Sequence, residues 1–183
     1  MRLFGAIPET AVSAIIAIDP EDGRQLWKTK ELKNYTGASF SVKGSRAVYQ
    51  TAEGMFCLNC KTGEELWSSK KAITNQRGHD SGTPGTMPGT VIITDDKAFA
   101  VEGKNLCAYS LKDGKTLWEA TAATNYQASA DLFHIDGIVW VGGAKAPTAL
   151  DAETGEVGEV KRADGQVFES QPEHEELLEL EHV

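Results

Sequence analysis

Short runs of apolar and β-branched residues, separated by polar or glycine-bearing turns, follow one another along most of the chain. Three pairs of runs have the pattern of two antiparallel strands joined by a short turn: RAVYQT with GMFCLN, KAFAVEG with NLCAYS, and GIVWVGG with PTALD. One more run precedes each pair (SFSVKG, TVIITDD, DLFHIDG), and RQLWKTK, EELWSSK and KTLWEAT each supply an outer strand. The pattern predicts an all-β fold of successive four-stranded antiparallel sheets, with residues 2–6 and 14–18 as the middle strands of the first.

A polar turn recurs near the end of each predicted sheet. It reads DPEDGRQLW at residues 19–27, NCKTGEELW at 59–67 and SLKDGKTLW at 110–118, and a shortened copy, DAETG, follows at 151–155. The turn glycines are spaced by 40, 51 and 41 residues. Because a period of roughly 40–45 residues is typical of propeller blades with four strands each, the chain is predicted to contain four such units.

Each copy of the turn carries the same kinds of residue. A polar residue lies four positions before the glycine, where its side chain can bond to nearby backbone N–H groups. The glycine permits a backbone conformation that a Cβ would penalise. The tryptophan four positions after it is predicted to be largely buried against a neighbouring sheet, because one sheet cannot bury both of its faces alone. These positions are Asp19, Gly23 and Trp27, then Asn59, Gly63 and Trp67, then Ser110, Gly114 and Trp118, and finally Asp151 and Gly155, after which Glu159 replaces the tryptophan.

Read in this register, the repeats share the pattern A-x-D-x-x-x-G-x-x-x-W. It appears as AIDPEDGRQLW, CLNCKTGEELW and AYSLKDGKTLW, and without its tryptophan as ALDAETGEVGE. This pattern resembles the tryptophan-docking motif of pyrroloquinoline-quinone-like (quinoprotein) β-propeller repeats. The resemblance covers residues 1–161 and implies propeller blades at about 1–30, 38–70, 90–121 and 129–161, followed by an acidic C-terminal tail at 162–183.

The number of blades bears on assembly. Propellers close with about four to eight blades. Four blades of this large-repeat type are expected to form a partial ring or half of a dimeric eight-blade ring, and the alternative is a compact four-bladed monomer. An open arc would leave the outer faces of the first and fourth blades bare, an apolar area larger than monomers normally expose. We therefore expect a homodimer, or missing blades from a longer parent chain. The segment GQVFES at 165–170 could supply the inner strand that the first blade lacks.

The resemblance specifies the fold more closely than the function, because one fold hosts several activities. The family includes alcohol dehydrogenases that bind the quinone and calcium, the outer-membrane β-barrel assembly lipoprotein, which only scaffolds, and sensor domains fused to kinases. The dehydrogenases carry adjacent cysteines at the cofactor, and this chain has none. We therefore predict no catalytic residue, metal or cofactor, and a non-catalytic scaffold that presents inter-blade loops to a protein or peptide. The alternative is the cofactor-binding part of a quinoprotein-type dehydrogenase, with pyrroloquinoline quinone and calcium.

The segment KKAITNQRGHDSGTPGTMPG, residues 70–89, accounts for the longest glycine spacing. Long loops without a pattern of their own are often functional. Within it, Arg77, His79 and Asp80 are candidate ligand- or partner-binding residues, since a histidine beside a carboxylate could serve acid–base chemistry or bind an anion together with the arginine. The alternative is a solvated connection between blades.

Two further candidates have structural alternatives. His134, in DLFHIDG, ends a predicted inner strand and would face a ligand in the central channel, or else a local partner. Cys57 and Cys60 form a CxxC pair that could be redox-active or half of a zinc site. Cys57, however, occupies the small-residue position held by alanine in the other copies, which favours a structural role.

Charge and hydropathy narrow the range of partners. The net charge of −9 excludes nucleic acid, whose phosphates require a basic surface, and opposes docking on anionic lipid. The chain lacks the run of about 18 apolar residues that membrane insertion requires, and its N-terminus does not have the pattern of a signal peptide. By family resemblance the protein is expected in the periplasm or outside the cell.

Overall fold

The structure is a computed structural model, and it describes residues 14–32, 39–51, 53–69, 90–102, 105–122, 131–142, 147–158, 160–161 and 167–168. Within these ranges the chain forms a series of antiparallel sheets, so the predicted all-β fold is confirmed. Residues 2–6, predicted as a strand of the first sheet, lie outside the described ranges.

The second and third repeats form four-stranded meanders in which sequential strands are neighbours. This is the arrangement of a propeller blade. In both, the strand that carries the tryptophan lies at one edge and the first strand at the other. The strands of the second sheet are β3 (Phe40–Lys43), β4 (Arg46–Thr51), β5 (Gly54–Asn59) and β6 (Glu65–Ser69), and those of the third are β7 (Val91–Ile93), β8 (Lys97–Glu102), β9 (Asn105–Ser110) and β10 (Thr116–Thr121).

The first and fourth repeats form smaller sheets. The first contains β1 (Ile16–Ile18) and β2 (Gln25–Lys28), and the fourth contains β11 (Leu132–Ile135), β12 (Ile138–Val141) and β13 (Thr148–Asp151). An isolated bridge from Leu150 to Val157 continues the fourth sheet toward the position of an outer strand. Beyond it, β14 (Val160–Lys161) pairs with β15 (Val167–Phe168), so two residues of the predicted tail are in a short hairpin.

The core is divided into layers between consecutive sheets, because successive side chains of a strand point to opposite faces. On β4, Ala47 packs toward the first sheet together with Ile15, whereas Val48 packs toward the third sheet together with Tyr109. A third cluster, which includes Phe99 and Val139, joins the third sheet to the fourth. Each of the two middle sheets is therefore covered on both faces.

Among the described residues of this core, the buried side chain of Gln50 has no hydrogen-bond partner. Gln50 lies on β4 with 0% of its surface exposed, and neither its amide nitrogen nor its amide oxygen is hydrogen-bonded. A buried polar group without a partner destabilises the folded state by about 1–3 kcal/mol.

We therefore expect Gln50→Leu to raise the free energy of unfolding by about 1–3 kcal/mol, measured by urea denaturation. The matched control is Gln25→Leu on the exposed side of β2, which should change stability by no more than about 0.5 kcal/mol. A less stable Gln50→Leu variant would mean that the amide has a partner, such as a buried water.

Candidate functional site

The four polar turns adopt one backbone conformation. The glycine φ angles are 74°, 74°, 72° and 75° at Gly23, Gly63, Gly114 and Gly155. In each turn the glycine N–H donates a hydrogen bond of 2.8–2.9 Å to the carbonyl of the residue four positions earlier. Because these φ values lie in the left-handed region, glycine is the residue that adopts the turn without steric strain.

The polar residue that starts the turn bonds to the turn's own backbone. Asp19 Oδ1 accepts a hydrogen bond from the N–H of Glu21 at 3.0 Å, and Asn59 Oδ1 accepts one from Lys61 at 2.9 Å. Asp151 Oδ1 accepts two from backbone N–H groups, of Thr154 at 2.8 Å and of Glu153 at 2.9 Å, and a third from the Thr154 hydroxyl at 3.2 Å. These side chains therefore stabilise the turns.

Two backbone hydrogen bonds hold the pKa of Asp151 below its usual range. The bond from the Thr154 N–H has the larger effect, and the bond from the Glu153 N–H the next. A carboxyl group with a depressed pKa stabilises the fold at pH values above the ordinary aspartate pKa. This contribution is lost as the pH falls through the pKa of the folded state.

We expect an NMR titration to give Asp151 a lower pKa than an aspartate in a model peptide. We also expect Asp151→Asn, which keeps an acceptor as Asn59 does, to lose less stability on acidification than the parent. An ordinary pKa for Asp151 would contradict the turn geometry.

Each tryptophan side chain of the repeats covers the turn glycine of the next repeat. A Cβ placed on the glycine would lie 2.7 Å from Trp27 at Gly63, 2.5 Å from Trp67 at Gly114 and 2.6 Å from Trp118 at Gly155. Real Cβ atoms do not approach neighbours this closely, so only glycine leaves room for the ring. We call each such pair of an indole and a turn glycine a dock.

A hydrogen bond orients the indole in every dock. The ring N–H donates to the carbonyl of the residue three positions before the glycine: Trp27 to Cys60 at 2.8 Å, Trp67 to Leu111 at 2.9 Å and Trp118 to Ala152 at 3.3 Å. Trp67 is buried, as predicted. Trp27 and Trp118 are half-buried, and each packs against a core cluster between two sheets.

In the second and third sheets, a cationic side chain at the start of the second strand contacts the turn of the next repeat. Arg46 Nη1 donates to the Leu111 carbonyl at 2.7 Å, the same oxygen that receives the Trp67 indole. Lys97 Nζ pairs with Glu153 in the next turn at 2.8 Å and with Asp96 at 2.7 Å. Burial alone would lower the pKa of Lys97, but the hydrogen bonds to the two carboxylates raise it. Sequence reasoning missed these contacts, although both cations lie 17 positions before a turn glycine.

The structure describes only one of the predicted ligand-binding residues. His134 lies on the edge strand β11, is exposed to solvent and stacks on Phe99 of the third sheet, with ring centroids 6.4 Å apart and an interplanar angle of 13°. It therefore has a local aromatic partner. Arg77, His79 and Asp80 lie outside the described residues.

The cysteines are free thiols. Cys57 is buried in the layer between the second and third sheets, and Cys60 is half-buried. Burial raises the pKa of both thiols, so each has less reactive thiolate at neutral pH than an exposed cysteine. This environment is that of structural cysteines rather than of an activated redox pair.

The donors that a calcium-bound quinone would require can be compared with this chain. No two of its cysteines are adjacent in sequence. Among the residues that the structure describes, no group of three or more His, Cys, Asp or Glu side chains is placed to hold a metal ion. Within the same residues, no helix is long and apolar enough to cross a membrane.

Four-stranded meanders joined by tryptophan docks define a β-propeller of the PQQ-like repeat class. Residues 11–177 match the family described as outer membrane protein assembly factor BamB, and the chain belongs to this family. The resemblance drawn from the repeated motif is thereby confirmed.

Two similar proteins represent both branches of the predicted function. Quinohemoprotein alcohol dehydrogenase ADH IIB of Pseudomonas putida is 28% identical over 118 residues, which are 58% of this chain and 17% of that protein. The crystal structure of BamB from Moraxella catarrhalis aligns with a TM-score of 0.61 and 19% identity, over 85% of this chain and 54% of that one. At this identity the structural likeness shows the fold alone. The chain spans about half the length of that BamB.

Proposed function

We propose that this protein is a non-catalytic scaffold whose inter-blade loops bind a partner protein or peptide. The observation that carries the proposal is the match of residues 11–177 to the BamB family, whose description is that of an assembly factor. By the same resemblance we propose a periplasmic or extracellular location.

The roles of the recurring polar side chains support this proposal. The turn aspartates bond to their own backbone, and Lys97 is paired with Asp96 and Glu153. These groups maintain the blades, as do the docked tryptophans. Segments between blades are then the natural place for recognition, because binding residues are disproportionately found on loops held by a rigid scaffold. We place the contact at the 70–89 loop, with Arg77, His79 and Asp80 as its binding residues.

Site-specific photo-crosslinking tests this placement. A benzoylphenylalanine replaces His79 in one variant and, as the matched control, the exposed Lys61 of the second turn in another. We expect a defined cross-linked protein from position 79 and none from position 61. The captured protein is then purified, and its affinity for the parent chain is measured by calorimetry.

Deleting residues 76–86 should abolish that affinity while the circular dichroism spectrum stays that of the parent. A deletion variant that folds and binds the purified partner unchanged would disprove the proposed loop site. Titration with pyrroloquinoline quinone and calcium tests the alternative function. We expect no saturable change in absorbance, and a saturable change would favour a quinoprotein role.

We further propose that the chain associates through its end sheets, either as a homodimeric eight-blade ring or with further blades of a longer parent chain. Sedimentation equilibrium measures the first arrangement directly. Both the homodimeric ring and the ring completed by further blades imply that the isolated chain exposes apolar sheet faces. A monomer that does not bind an apolar dye would therefore contradict both arrangements.

A further inference from the structure

The layer between the second and third sheets contains a side chain whose hydrogen-bonding groups the fold does not use. Gln50 on β4 is fully buried, and in the described part of the chain neither atom of its amide has a hydrogen-bond partner. Met55 lies directly opposite on β5, so both side chains project from the same face of the second sheet. Met55 and Val48 belong to the core cluster that also contains Tyr109 of the third sheet. The Gln50 amide therefore faces the third sheet.

Two more polar groups project into this layer from the third sheet. Tyr109 is 0% exposed, and its hydroxyl donates a hydrogen bond to Glu102 Oε1. Glu102 is half-buried at the end of β8, next to the turn that joins β8 to β9. Gln50 lies at the corresponding end of β4, next to the turn that joins β4 to β5. The amide, the hydroxyl and the carboxylate thus lie in one layer, toward one end of the two sheets.

The layer between the third and fourth sheets is apolar at the corresponding positions. The residue 13 positions before the turn glycine is Gln50 in the second repeat and Val101 in the third, and the residue five positions before it is Tyr109 in the third repeat and Leu150 in the fourth. Val101 and Leu150 are 3% and 0% exposed and belong to the apolar cluster of their layer. Packing of two such sheets therefore does not require the polar groups. Because an unpartnered buried amide destabilises the folded protein, its presence calls for a reason other than stability.

The donors and acceptors in this layer define the chemistry of a ligand. Gln50 Oε1, the Tyr109 oxygen and the Glu102 carboxylate are three hydrogen-bond acceptors, and the carboxylate adds a negative charge. A primary ammonium group has three N–H donors, no acceptor and a positive charge. Val48 and Met55 supply apolar surface for the methylene groups of an alkyl chain. The net charge of −9 also attracts a cation to this chain.

We infer that Gln50, Tyr109 and Glu102 form a binding site for a primary alkylammonium group. The group enters at the end of the layer where Glu102 is partly exposed, and the two sheets separate there to admit it because Gln50 is fully covered. The ammonium donates one hydrogen bond to each of the three acceptors, and its alkyl chain lies against Val48 and Met55. The group belongs either to a free alkylamine or to a lysine side chain of a partner.

The side-chain amide resonances of Gln50 are the probe. The unmodified full chain, isotope-labelled for NMR, is titrated with n-butylammonium at neutral pH, where the amine is protonated. We expect a saturable shift of the Gln50 side-chain resonances with about millimolar affinity, as suits a ligand of this size. n-Butanol keeps the alkyl chain without the charge, and butyltrimethylammonium keeps the charge without the N–H donors. Neither control ligand should give a saturable shift.

Variants of the site provide a second test, followed at the Met55 methyl resonance. Gln50→Leu removes the amide, and Glu102→Gln removes the negative charge. Each should weaken the binding of n-butylammonium at least about tenfold. Because Gln50→Leu is also expected to be more stable than the parent, its loss of binding is distinguished from a loss of folding. The matched control is Glu65→Gln, at an exposed position of β6, which should bind as the parent does.

A short peptide with a central lysine, compared with its norleucine counterpart, separates the two sources of the ammonium group. Tighter binding of the lysine peptide than of n-butylammonium assigns the site to a partner's side chain, and binding of n-butylammonium alone assigns it to a free amine.

The ligand comparison uses the parent chain alone, so it does not depend on the folding of any variant. Gln50 amide resonances that do not shift with n-butylammonium, or that shift equally with n-butanol, would overturn the inference. Unchanged affinity in Glu102→Gln would overturn it as well. Since the inference does not rest on the partner-binding loop proposed above, cross-linking at position 79 would be unaffected by either result.

Discussion

Replacing Trp67 with alanine is expected to lower the free energy of unfolding by about 3–5 kcal/mol, the range for truncating a buried aromatic side chain. Trp67 is 8% exposed and packs in the layer between the second and third sheets. Its ring covers Gly114, and its N–H donates to the Leu111 carbonyl at 2.9 Å. The substitution removes this packing and leaves a cavity between the second and third sheets.

Urea denaturation followed by circular dichroism measures the loss. The matched control is Leu66→Ala, one residue earlier on β6, where the leucine is 45% exposed and faces away from the dock. The control should lose much less stability than Trp67→Ala. If the Trp67→Ala variant unfolds at the same urea concentration as the parent, the dock does not hold the second and third sheets together.

Replacing Gly114 with alanine is expected to cost about 2–5 kcal/mol, from two separate effects. A left-handed φ of 72° is strained for an L-residue by about 1–2 kcal/mol. The new Cβ would also lie 2.5 Å from the Trp67 ring, and overpacking of this kind costs about 1–3 kcal/mol.

Gly23→Ala separates the two effects. Its φ of 74° is as strained as that of Gly114, but no atom lies within 4 Å of the added Cβ. It should therefore show the backbone strain alone. In a Trp67→Ala background, Gly114→Ala should likewise lose its overpacking component, so the two substitutions should be non-additive. Equal losses at Gly23 and Gly114 would show that the space beneath the indole has no energetic role.

The local part of the site was readable from the sequence. Asp19, Asn59 and Asp151 were predicted to bond to turn backbone because short polar side chains do so at turn starts, and the structure has those bonds. The strands of the second and third sheets also follow the apolar runs closely, because alternation and turn residues within a few positions specify a strand.

The contacts between repeats were less readable. Arg46 and Lys97 reach the turn of the following repeat, yet in sequence each is simply a charged residue at the start of a strand. The stacking of His134 on Phe99 depends on the distance between two sheets whose residues lie far apart along the chain.

The sequence by itself determined the repeat, the antiparallel strands and the glycine turns, because these follow from the spacing of neighbouring residues and from the conformational limits of each residue type. Only the tertiary structure decided that each tryptophan covers the glycine of the next repeat and that Gly23 stays open. The physical reason is that a dock forms between two sheets. At Gly63 the Trp27 ring of the preceding sheet lies 2.7 Å from the position of a Cβ, whereas at Gly23 no atom lies within 4 Å of that position, although the two turns have the same φ.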